Sequence, residues 1–208
     1  GVTGYVTVGT RNDGAFACKT LASFNDCHGP SHRKALDDFI GYLAMTADSH
    51  TLKLSKGGGD YLVANCDADW NGTLCHRSTT GWIIFHGTNP ISWAPPTQKC
   101  TARSTGEAEY IALSSLAQEC VYIKMLLESL DERPGKVGIL SNEGTEDDPG
   151  CVRIWQDDNK STAPIKIWSD SLNAVQNSKK EWVSDKLRHI KTAYHFQAVC
   201  EERRHRPT

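Results

Sequence analysis

Residues 60–70, DYLVANCDADW, decide how the chain reads. Tyr61, Leu62, Val63 and Ala64 form an apolar run of the kind that builds a strand. Two carboxylates, Asp67 and Asp69, arrive where that strand should end. Such acids are either ordinary turn residues or ligands of a cation. The choice depends on whether other acids reach the same place.

Downstream, the loop WNGTLCHRSTT leads into GWIIFHGTNPISWA and then TQKCTARS, two further strand-like runs parted by Pro95-Pro96. Three strands with short connections predict an antiparallel meander. Ala108, Ala112, Leu116, Cys120, Ile123, Leu127 and Leu130 then recur at spacings of three and four. That spacing predicts a long helix packed on the sheet, with Ser104 or Thr105 as its cap, stopping before Pro134. Residues 133–164 are rich in Gly, Pro, Asp and Asn and read as an insertion or long loop holding one short strand, CVRIWQ. Ile165 to Trp168 form another strand running into a turn and a helix, and KLRHIKTAYHFQAVCEERR a final helix with Ile190, Ala193, Tyr194 and Ala198 on one face.

Upstream, SHRKALDDFIGYLAMTA (31–47) places Ala35, Leu36, Phe39, Ile40, Leu43 and Ala44 on one helical face, with Ser31 as cap. SKGGGD at 55–60 is a turn or linker. The whole predicts an α/β fold: a mixed sheet of three antiparallel strands followed by parallel strands, flanked by helices.

The 208 residues suffice for one large domain or a domain with an extension, and 38% hydrophobic with 23% charged residues is an ordinary globular balance. No apolar stretch is long enough for a membrane span, and GVTGYVTVGTRNDG is not a signal peptide. The missing initiator Met suggests a fragment or processed product. A net charge of −2 argues against a strongly electrostatic nucleic-acid binder, although Arg203, Arg204 and Arg206 make a basic cluster that is either a local patch or a solvated tail. Eight cysteines without a CxxC pair point to a reducing, intracellular compartment rather than to disulfides or zinc.

Three acids stand at telling places. Asp67 ends the first strand, Glu109 lies in the first turn of the long helix, and Asp170 ends the strand IKIWS. If the first and fourth strands are neighbours, Asp67 and Asp170 emerge side by side, and a helix crossing the sheet presents Glu109 to them. Converging carboxylates repel one another unless a cation sits between them, and hard oxygen ligands suit Mg²⁺ or Mn²⁺. Two such ions ~4 Å apart suit phosphoryl transfer. Each acid also has a plainer reading: a turn for Asp67, a helix-dipole partner for Glu109, and a helix cap for Asp170.

The blocks NCDADWNG, RSTTGWIIFHGTNPISW and QKCTARSTGEAEYIALSS, with IWSDSLNAVQNS and KLRHIKTAYHF beyond them, resemble the ribonuclease H domain of copia-type LTR retrotransposon polyproteins. GTRNDGAFACKTLASF and GPSHRKALDDFIGYL resemble the segment that joins the polymerase to that domain. The resemblance spans nearly the whole chain except residues 133–164. It implies a connection-type segment with one helix at 1–57 and a ribonuclease H-like domain at 58–208 carrying the insertion.

The resemblance also implies an endoribonuclease that hydrolyses the RNA strand of RNA–DNA hybrids with two Mg²⁺ or Mn²⁺ ions, leaving a 3′-hydroxyl and a 5′-phosphate. Its partners would be the hybrid and the reverse-transcriptase polymerase domain of the same polyprotein, with no membrane. Its place would be a cytoplasmic retrotransposon particle, or the nucleus for a domesticated copy. The family's metal ligands fall on Asp67, Glu109 and Asp170, with Asp69 supporting the turn and Glu107 the competing helix acid. Its usual fourth Asp is replaced by Lys191, and Asp185 is six residues away. His189 is a candidate for proton transfer or product release, and Arg77, Ser78 and Thr79 are candidate contacts to the nucleic-acid backbone. Lys191 supports a rival reading, a ribonuclease H fold that has lost catalysis and serves as a binding or interaction module. A transposase-like DNA nuclease shares the acid logic but fits the quoted blocks poorly.

Overall fold

The structure, a computed structural model, describes residues 1–56, 61–73, 76–130, 151–153 and 165–178. Its centre is a mixed sheet of strands β1 (Leu62–Asp69), β2 (Thr79–His86), β3 (Asn89–Ala94), β4 (Cys151–Arg153) and β5 (Lys166–Ser169), in the order β3-β2-β1-β5-β4. The first three strands form the expected antiparallel meander. Among the later strands only β5 runs parallel to β1, and the outer strand β4 pairs antiparallel with β5. Among the described residues, one parallel neighbour stands where a set of parallel strands was expected.

Strand boundaries also differ from expectation. GWIIFHGTNPISWA is two strands, because Gly87 takes a φ of 59° and leads a two-residue turn that pairs His86 with Asn89. TQKCTARS is not a strand and contributes a single bridge, Thr79 to Thr97. Its Gln98 instead anchors the next helix, donating from Nε2 to Thr80 Oγ1 (3.1 Å) and to the Ala108 carbonyl (2.8 Å). The Pro95-Pro96 pair removes two backbone donors and ends regular pairing there.

Helix α4 (Thr105–Ser129) covers one face of the sheet. Leu62, Ala64 and Cys66 alternate inward along β1 and meet Ala112, Leu116, Cys120 and Ile123 in the main core, together with Ile84 and Ile167. The predicted stripe of α4 is buried as far as Ile123, whereas Leu130, past the helix end, is exposed. Cys18, Cys27, Cys66, Cys100 and Cys120 are free, and burial pushes the Cys66 thiol up to about 12 and raises that of Cys120. Both behave as small core hydrophobes.

The amino-terminal segment holds three helices rather than the single one expected: α1 (Val2–Gly9), α2 (Ala15–Ala22) and α3 (Pro30–Met45), with a 3-10 turn at Asn12–Gly14. The first two escape notice because VTGYVTVG is rich in β-branched residues and glycine, and eight residues give little periodicity. The third is the predicted helix, capped at Gly29 instead of Ser31, with Pro30 in its first turn and His32 Nδ1 accepting from the Gly29 amide at 3.0 Å. Of its predicted apolar face Phe39 is buried, while Ile40 and Ala44 are exposed.

Arg11 ties this segment together. It pairs with Asp13 at 2.7 Å and donates to Thr46 Oγ1 at 2.6 Å, while Tyr42 donates to Asp13 at 2.7 Å. Gly14 lets Phe39 approach, since a Cβ there would lie 2.9 Å from the ring. The segment docks on the sheet face opposite α4 through Trp93 Nε1, which donates to the Thr7 carbonyl at 2.8 Å, and through Lys19 Nζ, which donates to Thr79 Oγ1 at 2.9 Å. Among the described residues no helix is long and apolar enough to cross a membrane.

Candidate metal centre

The parallel pairing of β1 and β5 sets Cys66 opposite Ser169, so the next residues, Asp67 and Asp170, stand side by side. Asp67 does not end its strand as expected: β1 stays paired with β2 as far as Asp69, whereas β5 stops at Ser169. Helix α4 crosses that end of the sheet and brings Glu109 to them. One carboxylate oxygen from each of Asp67, Glu109 and Asp170 lies within 4.8 Å of the other two. Asp67 and Asp170 are exposed and Glu109 is buried.

Other residues perform the plainer duties that each acid had in prospect. At the start of α4, Ser104 Oγ accepts from the Glu107 amide at 3.3 Å, and Glu107 Oε2 accepts from the Arg103 amide at 2.6 Å. Glu107 is thereby turned back onto the helix start, and Glu109 is the acid that reaches the cluster. Before α5 (Leu172–Ser178), Ser171 Oγ accepts from the Ala174 amide at 3.3 Å, which leaves the Asp170 carboxylate without the capping role. The turn after β1 is made farther on, where Asn71 adopts a φ of 60° and its amide donates to Ser78 Oγ at 3.3 Å.

Glu109 is the electrostatic centre of the group. Its Oε1 accepts from the Ala68 amide at 3.1 Å, while its buried Oε2 has no hydrogen-bond partner among the described residues. Burial raises its pKa from 4.5 to about 7, the Ala68 N–H opposes that rise, and the charges of Asp67 and Asp170 add to it. A buried carboxylate beside two exposed carboxylates, with one oxygen unpartnered among the described residues, is costly as it stands. A hard divalent cation would satisfy it, so the donor set fits Mg²⁺ or Mn²⁺, with the two exposed acids leaving room for other oxygen ligands.

The remaining sequence candidates fare differently. Ser78 and Thr79 are buried, Ser78 Oγ accepting from the Asn71 amide and Thr79 Oγ1 from Lys19, so their hydroxyls lie below the surface that a nucleic-acid backbone would meet. Arg77 is exposed beside them. His189, Lys191 and Asp185 lie outside the described residues.

Lys19 escaped the sequence reading. Burial lowers its ammonium pKa and the charge of Asp69 counters that shift, which puts a cation beside the acidic end of β1. No local signal in ACKTLAS announces this, since fifty residues separate Lys19 from Asp69. Trp70, part-exposed, is pinned by its Nε1–H to the Ala102 carbonyl at 3.0 Å.

The chain is 30% identical over 188 residues to the retrovirus-related Pol polyprotein from transposon RE1 of Arabidopsis thaliana, an alignment covering 90% of this chain and 11% of that protein. It is 29% identical over 194 residues to the corresponding polyprotein from transposon TNT 1-94 of Nicotiana tabacum, covering 92% of this chain and 12% of that one. It is also 36% identical over 120 residues to Secreted RxLR effector protein 161 of Plasmopara viticola, covering 57% of this chain and 84% of that protein. The chain thus spans about a tenth of the length of the Pol polyproteins it matches. No family model and no solved structure matches it.

Proposed function

We propose a function from the premise that the chain belongs to one family with a segment of the retrovirus-related Pol polyproteins and with the Plasmopara viticola effector protein. On that premise the chain is a ribonuclease H-type endonuclease that hydrolyses the RNA strand of RNA–DNA hybrids, acting in retrotransposition as part of a longer polyprotein. The observation that carries this reading is the convergence of Asp67, Glu109 and Asp170, one carboxylate oxygen of each within 4.8 Å of the others, with a buried Glu109 oxygen that has no partner among the described residues.

Asp67, Glu109 and Asp170 would hold the divalent ions. When bound, Mg²⁺ or Mn²⁺ supplies charge stabilisation at the phosphoryl group and an activated water. The chain's own contribution is placement. Strands β1 and β5 fix two carboxylates at the sheet end, and α4 delivers the third in a partly dry setting where its charge acts more strongly. Arg77 is free to contact a phosphate, and His189 is the proposed group for proton transfer or product release. Residues 1–57 form the connection-type segment and 58–208 the nuclease domain. The polymerase domain of the same polyprotein and the RNA–DNA hybrid are the proposed partners.

The test is cleavage of a labelled RNA–DNA hybrid in Mg²⁺ and in Mn²⁺, beside Asp67→Asn. Cutting confined to the RNA strand and abolished by the substitution is the expected result. Hybrid left intact by the unaltered chain in both metals would sink the catalytic reading. The rival reading, a silenced nucleic-acid-binding or interaction module, is favoured by one observation, Lys191 where the family carries an Asp. It predicts that Lys191→Asp switches cutting on in a chain that otherwise only binds.

A further inference from the structure

On the sheet face opposite α4, Asn65 pairs with Ile83, Ile83 with Trp93, and Asp67 with Gly81. Because Gly81 brings no side chain, the sheet is hollow there, and the amino-terminal helices close over the hollow without filling it. The result is a cleft of about 350 Å³ whose lining includes Asn12 and Phe16 from the amino-terminal segment and Asn65, Asp67, Gly81 and Trp93 from the sheet. Its volume falls in the ~300–1,000 Å³ range of small-ligand pockets. Asp67 lines the cleft, so the cleft adjoins one member of the acid cluster.

The walls have a consistent chemistry. Trp93 is held by its Nε1–H on Thr7, which fixes the indole plane, and Phe16 is 53% exposed. Asn12 and Asn65 each carry an amide that both donates and accepts. Nearby, Lys19 Nζ sits 5.7 Å from the Phe16 ring centroid and bonds Thr79 Oγ1, giving a positioned cation beside the aromatic wall. The lining sets two amides and the rings of Phe16 and Trp93 among the apolar Ala15, Ile83 and Pro95, with the Lys19 ammonium beside the cleft and Asp67 at its edge.

We propose that this cleft is a nucleotide subsite: a nucleotide adjoining the scissile phosphodiester lies over Gly81, its base against Trp93 and Phe16, its polar edge or 2′-hydroxyl on Asn12 and Asn65, and its phosphate on Lys19. Aromatic stacking tolerates any base and the amides read hydroxyls and base edges, which suits a strand recognised by shape. The amino-terminal segment is then a wall of the nucleic-acid site as well as a connection. This inference rests on the proposed function for its ligand class.

The test uses the whole 208-residue chain with a fluorescein-labelled RNA–DNA hybrid. Anisotropy is read in Ca²⁺ at several salt concentrations, and Mn²⁺ affinity is measured in parallel by calorimetry. Gly81→Leu fills the floor, and an added Cβ there meets nothing nearer than the Asp67 carbonyl at 3.9 Å, so the strand accommodates it. Gly81→Leu is expected to weaken hybrid binding about tenfold or more while Mn²⁺ affinity stays within about twofold; Phe16→Ala is expected to weaken it about 5- to 100-fold. Lys19→Gln is expected to lower the salt slope by about one phosphate contact.

Hybrid binding by these three variants indistinguishable from the unaltered chain would overturn the subsite and leave the proposed function standing. Failure of the unaltered chain to bind hybrid would overturn both. Should Gly81→Leu also lose Mn²⁺ affinity, Gly81→Ala and Lys19→Gln decide.

Discussion

Replacing Glu109 by Gln removes a buried charge while keeping the shape of the side chain. Burial and the neighbouring acids lift its pKa from 4.5 to about 7, so ionising it in the metal-free protein opposes folding. At about 1.4 kcal/mol per pH unit the full cost is about 3 kcal/mol. Solvent on the open side of the cluster, where Asp67 and Asp170 are exposed, screens this to about 1–2 kcal/mol.

The sign follows from the raised folded-state value. Stability from this group is fully present below its unfolded pKa near 4.5 and is lost as pH rises through about 7. In EDTA, thermal unfolding of the unaltered chain should therefore fall relative to Glu109→Gln between pH 5 and pH 8. The variant should end about 2–8 °C higher at pH 8. Added Mn²⁺ should reverse the order, because the ionised carboxylate binds the cation and the amide does so poorly. A Glu109→Gln protein no more stable than the unaltered chain at pH 8 without metal would refute the account of a strained carboxylate awaiting a cation.

Other expectations follow from single contacts. Gly14→Ala should destabilise by about 1–3 kcal/mol in urea titration, because its Cβ would press on Phe39 at 2.9 Å and on Thr7 Cγ2 at 3.0 Å. Trp70→Phe should cost about 1 kcal/mol by the same assay, since the Ala102 carbonyl loses its 3.0 Å donor. Asp13 is held down to about 2, first by its hydrogen bond with Arg11, so its contribution is present above its unfolded value of 3.8 and lost as pH falls toward 2. Asp13→Asn should be less stable than the unaltered chain at pH 6, with the difference closing across that acid window in a circular-dichroism titration.

The acid cluster was legible because its members stand close to element boundaries: Asp170 just past β5, Asp67 two residues before the end of β1, and Glu109 one turn into α4 rather than in the first turn expected. An antiparallel meander followed by a helix then constrains how they meet. The inward stripe of α4 was legible for the same reason, since a spacing of three and four is a local property. Local chemistry misplaced the cap at Ser31, and it did not show that Ser78 and Thr79, candidate nucleic-acid contacts, are buried, because a hydroxyl in a loop reads alike whether it faces solvent or, as with Thr79, an amine sixty residues away.

The amino-acid sequence by itself determined the α/β class, the long buried helix, and Asp67, Glu109 and Asp170 as the residues to watch. Only the tertiary structure decided which acids were free for a cation: it gave the helix start to Ser104 and Glu107 and the α5 cap to Ser171. It also decided that two short helices without periodicity would fold over the hollow at Gly81 and set Lys19 beside the acidic strand end. The physical reason is one of range. Propensity, capping and hydrophobic period act over a few residues, whereas burial of Glu109 and the cleft beside Asp67 arise from packing between segments far apart in the chain.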